Sequence, residues 1–120
     1  MNRLLSLLNP AKLLAAFGNS LSGLATAIKS ERAFQQEIIL LVVGSIAAFV
    51  FTDTNIERAI LVGSLGIVLI VEILNSAIEA TIDRIGTEHN LLSKQAKDLG
   101  SAAVLLSLAT AAAIWLIILL

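Results

Sequence analysis

The sequence predicts an all-α membrane protein in which three transmembrane helices follow an N-terminal amphipathic surface helix. Of its 120 residues, 58% are hydrophobic and 14% are charged, and the mean hydropathy is +0.94. Soluble domains average about 25% charged residues. Three apolar segments approach the ~20 residues that a helix needs to cross a bilayer. The chain has room for one domain, residues 1–120, and three helices cannot cover a polar helix face, so we expect self-association.

The surface helix is predicted over about residues 11–29. Polar residues occupy much of its circumference, and its apolar residues recur at helical spacing: Leu14, Phe17, Leu21, Leu24 and Ile28. Such a helix lies on a membrane surface or packs on the protein itself, and both interpretations stay open. The preceding segment has a single Arg and is interrupted by Pro10, which argues against a cleaved signal peptide.

Three spans are predicted, over about residues 33–52, 56–85 and 97–120. The apolar run Ile38–Phe51 is short for a span, so the first one also includes polar residues that snorkel or face other helices. Thr54 or Asn55 is expected to cap the second helix. The segment from 86 to 94 is expected to be a loop with one amphipathic turn, and Trp115 is expected to anchor the third span at the outer interface.

The basic residues predict the orientation. Of the eight Lys and Arg residues, Arg58 alone falls between the first and second spans. The others precede the first span or lie between the second and third. By the positive-inside rule, the N-terminus and the second loop are cytoplasmic and the C-terminus is on the opposite side.

One face of the second span carries unusual polarity. At about 100° per residue, five polar side chains fall within roughly one third of the helix circumference: Glu72, Asn75, Ser76, Glu79 and Asp83. A charged residue near the centre of a span costs about 2.5 to 3.5 kcal/mol on insertion scales. Charges retained at such a cost indicate a function.

Several kinds of chemistry are excluded or favoured by residue type. Cysteine is absent and His89 is the single histidine, so a zinc site and thiol chemistry are not expected. The sequence has no basic stripe with interleaved aromatic residues, so a nucleic-acid partner is not expected. Carboxylates suit Mg²⁺, and Lys97 could bind a phosphate, which favours phosphoryl transfer from a Mg-nucleotide although no P-loop occurs. An ion-translocating module and a structural bundle joined by polar residues remain alternatives.

Three motifs resemble the small integral-membrane diacylglycerol kinases of bacteria. They are E-I-L-N-S-A-I-E-A-x-x-D-R-I-G-x-E at 72–88, A-K-D-x-G-S-A-A-V at 96–104 and E-x-A-F-x-Q-E at 31–37. The resemblance extends from about Lys12 to the C-terminus. It implies a homotrimeric bundle with shared active sites in the bacterial inner membrane, which moves the γ-phosphate of MgATP to diacylglycerol and yields phosphatidic acid. An undecaprenol kinase of the same fold is the nearest alternative.

The resemblance also implies residue roles. Glu72 matches a general base, Glu31 and Glu79 match a metal-binding pair, and Lys97 matches a phosphate-binding lysine. The implied ATP-binding residues are Lys12, Asn19, Glu31, Asn75, Glu79, Glu88, His89, Asn90, Lys97 and Asp98. The implied lipid-binding residues are Phe34, Gln36, Glu37, Glu72 and Ser101.

The match is imperfect at three places. The family pattern resembles E-Y-H where this chain has Glu88, His89 and Asn90. Lys12 stands at what resembles an arginine position, and Asn19 stands at what resembles a tyrosine position. For each site residue a structural role, such as a helix–helix hydrogen bond or a surface anchor, is the alternative.

Overall fold

The computed structural model describes residues 2–120, and within them the protein is helical and contains no strand. The helices are α1 (Asn2–Leu7), α2 (Pro10–Ser30), α3 (Arg32–Phe51), α4 (Asn55–Ile85) and α5 (Leu91–Leu119). The chain forms two compact units, of which one ends at Glu31 and the other is Arg32–Leu120. The expected all-α class, with an N-terminal helix before three long apolar helices, is confirmed.

The N-terminal unit consists of α1 and α2. The side chain of Asn9 caps α2 by accepting a hydrogen bond from the Ala11 N–H at 3.1 Å, and Pro10 occupies the first turn, where its missing N–H costs nothing. The large apolar residues of α2, from Leu13 to Ile28, are exposed. The short helix α1 was not predicted, because six residues are too few to establish a helical repeat.

The second unit contains three helices that are long and apolar enough to cross a membrane: α3, α4 and α5. Helix α4 packs against both α3 and α5. Leu65, Val68 and Ala111 form a small buried cluster, and Leu41 and Trp115 pack against it. Most other large apolar side chains of these helices are exposed, as expected for a surface that faces lipid.

The turn between α3 and α4 is closed by side chains. Thr54 caps α4: its hydroxyl accepts from the Glu57 N–H at 3.2 Å and donates to the Glu57 carboxylate at 2.7 Å. Arg58 donates to the Thr52 carbonyl at 2.8 Å, and its guanidinium lies 4.9 Å from the Phe49 ring centroid. The basic residue of this turn therefore neutralises the carbonyl end of α3.

The connection between α4 and α5 is shorter than expected. Asn90 caps α5 by accepting from the Ser93 N–H at 3.1 Å, so the helix begins at Leu91. The expectation of a loop from 86 to 94 was wrong for residues 91–94. Asparagine is among the strongest N-cap residues, and its capping bond starts the helix before the apolar run begins.

Trp115 has a partner inside the bundle. Its indole N–H lies 3.2 Å from the Leu61 carbonyl and 3.1 Å from the Ser64 hydroxyl, both on α4. Gly44 is buried beside the same ring, and a Cβ at this glycine would lie 3.4 Å from Trp115 Cζ2. The residue expected to anchor the helix at the interface also contacts the two other long helices.

Candidate active site

The polar face of α4 changes from buried to exposed along the helix. Glu72 and Asn75 are 6% and 8% exposed, Ser76 and Glu79 are half-buried, and Asp83 is exposed. The five residues point toward one side of α4 because their spacing follows the helical repeat. The arrangement connects the interior of the bundle to the end of α4, where polar ligands can enter.

Asn75 and Glu79 form the centre of this face. The Asn75 amide donates to Glu79 Oε1 at 3.4 Å, one helical turn away. Asn75 Oδ1 is buried and has no hydrogen-bond partner among residues 2–120. Glu79 thus keeps a half-buried carboxylate that is oriented from one side and still accessible.

Glu37 on α3 lies within electrostatic range of Glu72 on α4. The Glu37 Oε2 atom is buried and, within residues 2–120, has no hydrogen-bond partner. Two carboxylates in such surroundings repel each other unless a proton or a cation lies near them. The structure therefore brings together two of the predicted lipid-binding residues, one of which is also the predicted base.

Lys97 on α5 forms an ion pair with Asp83 on α4. Its ammonium lies 2.7 Å from Asp83 Oδ1, and the two side chains are 42% and 57% exposed. Lys94, one turn earlier on α5, pairs with Asp98 at 2.6 Å. Exposed ion pairs are weak, so a phosphate could displace the aspartate from Lys97.

A cleft of about 400 Å³ opens where α4 ends and α5 begins. It contains five of the predicted ATP-binding residues: Glu88, His89, Asn90, Lys97 and Asp98. Asp83, Ser93 and Lys94 also line it. Residues of the α4–α5 connection and of the first turns of α5 thus lie beside the end of α4.

The remaining predicted residues differ in exposure. Phe34 is buried at 4%, whereas Gln36 and Ser101 are exposed. In the N-terminal unit, Lys12 and Asn19 are exposed. The other predicted residue of that unit, Glu31, is half-buried and its N–H donates to the Ala27 carbonyl at 3.0 Å, which ends α2.

The described acidic side chains do not form a complete metal site. Within residues 2–120, no three His, Asp or Glu side chains come together to hold a metal by themselves. Mg²⁺ is usually held by one or two protein carboxylates together with phosphate oxygens and water. An accessible carboxylate such as that of Glu79 fits a Mg-nucleotide and does not suit a metal held by protein ligands alone.

Sequence reasoning missed two features of the site. Asp83 was recognised as part of the polar face, but its pairing with Lys97 depends on how α5 packs against α4. Gly100 is buried against Asn75, and only the packing reveals this contact. The only sequence signal for these two contacts was the position of Gly100 near Lys97, the predicted phosphate-binding lysine.

Comparison with known proteins decides the family. The profile of the prokaryotic diacylglycerol kinase family matches residues 18–119. The chain belongs to this family. It is 44% identical to a diacylglycerol kinase of Escherichia coli (strain K12) over 108 residues, which cover 90% of this chain and 88% of the relative.

Other diacylglycerol kinases give similar matches. A Pseudomonas aeruginosa enzyme of that name is 45% identical over 91% of this chain and 89% of its own length. A Helicobacter pylori (strain J99) enzyme is 36% identical over 87% of this chain and 81% of its own length. Membership in the prokaryotic diacylglycerol kinase family supports diacylglycerol kinase activity, and the resemblance found in the sequence motifs is confirmed.

Proposed function

We propose that the protein is a lipid kinase that transfers the γ-phosphate of MgATP to the hydroxyl of diacylglycerol, giving phosphatidic acid. One observation carries the proposal: the polar face of α4 leads from buried Glu72, through Asn75 and Glu79, to the cleft that contains Lys97. A lipid hydroxyl is confined to the membrane boundary, whereas ATP is dissolved in water. A site of this shape is accessible to both.

Each residue then has a chemical task. Glu72 accepts the hydroxyl proton while the lipid oxygen bonds to the γ-phosphorus and the bond to the leaving ADP oxygen breaks. Lys97 donates to phosphate oxygens, and Asn75 holds Glu79 in position. Sequence resemblance assigns Glu31 and Glu79 to Mg²⁺, which would neutralise phosphate charge when bound.

Nucleotide and lipid would occupy different ends of the site. The adenosine part is assigned to the turn at Glu88, His89 and Asn90, with Asp98 beside it. Lys12 and Asn19 are assigned to nucleotide binding by sequence resemblance alone. The lipid would lie against Phe34, Gln36, Glu37 and Ser101. This assignment places hydrophilic ligands at exposed residues and the lipid near the buried end of the polar face.

The enzyme is proposed to act as a homotrimer at the cytoplasmic face of the bacterial inner membrane, with its C-terminus on the periplasmic side. Seven of the eight basic residues lie outside the α3–α4 turn, and the eighth, Arg58, is bonded to the carbonyl end of α3. Most of the large apolar side chains of the long helices are exposed in a single subunit. Shared sites between subunits would add the contacts that complete the polar face.

The proposal is tested with purified protein in mixed micelles with MgATP and either dioleoylglycerol or undecaprenol. Wild type is expected to form phosphatidic acid, and Glu72→Gln is expected to lose nearly all activity because it cannot accept a proton. Glu57→Gln is the matched control, since Glu57 lies in the first turn of the same helix, away from the end of α4 that borders the cleft.

The outcomes are distinct. Phosphorylation of undecaprenol alone would retain the mechanism and replace the lipid substrate. Absence of product from either lipid, in folded protein, would exclude the catalytic proposal and favour an ion-translocating or structural bundle. Full activity of Glu72→Gln would remove Glu72 from its role as base.

A further inference from the structure

Gly100 of α5 lies against Asn75 of α4. Gly100 is buried, and a Cβ placed on it would overlap Asn75 Oδ1 and lie 3.3 Å from Asn75 Cγ. Ile78 Cδ1 would lie 3.8 Å away on the other side. The Asn75 amide therefore occupies the space that a side chain at position 100 would take.

The orientation of this amide is determined by its neighbours. Its N–H₂ group donates to Glu79 Oε1 at 3.4 Å, so its oxygen must face Gly100. A reversed amide would place two oxygens against each other at Glu79. The buried oxygen, unpartnered among residues 2–120, lies against Gly100, which has no Cβ to exclude it.

We infer that Gly100 is a positioning residue of the phosphoryl-transfer site: the absence of its side chain lets Asn75 orient the Glu79 carboxylate. The inference rests on the proposed function, because it treats Glu79 as a holder of Mg-nucleotide. A Cβ at position 100 meets the end of a side chain and not the backbone of α4, so the Asn75 amide moves and the helices need not. Glu79 then loses its donor.

The helix propensities of glycine and alanine allow an effect on catalysis to be separated from an effect on folding. Alanine is a better helix former than glycine, so Gly100→Ala gains intrinsic helix stability while it displaces Asn75. Gly63 provides the control: it lies in the interior of α4, and no described atom beyond its chain neighbours and the adjacent helix backbone is within 4 Å of a Cβ placed on it. Both substitutions add the same methyl group to a membrane helix.

The experiment compares wild type, Gly100→Ala and Gly63→Ala in micelles. Lipid phosphorylation is measured, and Mn²⁺ affinity is measured by electron paramagnetic resonance with a non-hydrolysable ATP analogue. Gly100→Ala is expected to lower kcat about 10- to 100-fold and to weaken Mn²⁺ binding about tenfold, as found when groups that orient metal ligands are disturbed. Gly63→Ala should retain both properties.

A second readout identifies Asn75 as the intermediary. Gly100→Ala should raise the thermal unfolding midpoint more in an Asn75→Ala background than in wild type, because the space is then empty. Equal shifts in the two backgrounds, or unchanged Mn²⁺ affinity in Gly100→Ala, would overturn the inference. If wild type forms no phosphorylated lipid, the proposed function fails, whereas the unfolding comparison still tests the contact.

Discussion

Lys97 and Lys94 offer a matched test of the phosphate-binding assignment. Both lie on α5, and both pair with an aspartate, at 2.7 Å for Lys97 and 2.6 Å for Lys94. Their side chains are 42% and 62% exposed, so each ion pair is well solvated and contributes little to folding. Removing either lysine should therefore leave the thermal unfolding midpoint nearly unchanged.

Their effects on catalysis should differ. Loss of a charge-assisted hydrogen bond to phosphate lowers kcat/KM by about 10- to 100-fold, so Lys97→Ala should fall in that range. Lys94→Ala loses only the ion pair with Asp98. Its kcat/KM should stay within about threefold of the wild-type value, since a solvated pair contributes little. The assay is the initial rate of phosphatidic acid formation in mixed micelles at varied MgATP concentration.

The reasoning is refuted by one result in particular. If Lys97→Ala and Lys94→Ala reduce kcat/KM for MgATP equally, the two cations act through the surface charge of the cleft and Lys97 has no special contact. A Lys97→Arg variant with most of the activity would support a need for charge, although the different shape of the guanidinium makes full recovery unexpected.

Two further predictions concern the contacts that hold α5 in place. Trp115→Phe removes the indole donor to Leu61 and Ser64 and should lower the free energy of unfolding by about 0.6 to 1.7 kcal/mol, the range for hydrogen bonds between membrane helices. Kinase activity should persist, and a loss of activity without loss of stability would contradict this. Asn90→Ala should cost about 1 kcal/mol through the lost cap on Ser93, and Asn90→Ser should restore it. Equal unfolding midpoints for the two Asn90 variants would show that the cap contributes nothing.

Local chemistry accounts for the parts of the fold that were predicted correctly. Long apolar segments predict membrane helices because each backbone polar group must be bonded within its own segment in lipid. Thr54 was one of two expected caps, and its reciprocal bonds with Glu57 select it. The predicted start of α5 was wrong because Asn90 caps the helix, although the polar residues that follow it are typical of a loop.

The sequence predicted which polar residues share one face of α4, but it did not predict which residues of the neighbouring helices they contact. Helical periodicity alone places Glu72, Asn75 and Glu79 on one face of α4. Trp115 shows the limit: an aromatic residue near the end of a span is typical of an interfacial anchor, yet the indole bonds to α4. Which neighbour a side chain meets depends on the rotation and register of the facing helix.

By itself the sequence determined the all-α class and the three long apolar helices, because these follow from composition and from the repeat of a single helix. The residues assigned to phosphate come from the resemblance of the motifs and stay a prediction. Only the tertiary structure decided that Asp83 meets Lys97 and that Asn75 lies against Gly100. Both contacts join α4 to α5. They depend on the packing of small and large side chains between two helices, which no periodicity within either helix encodes.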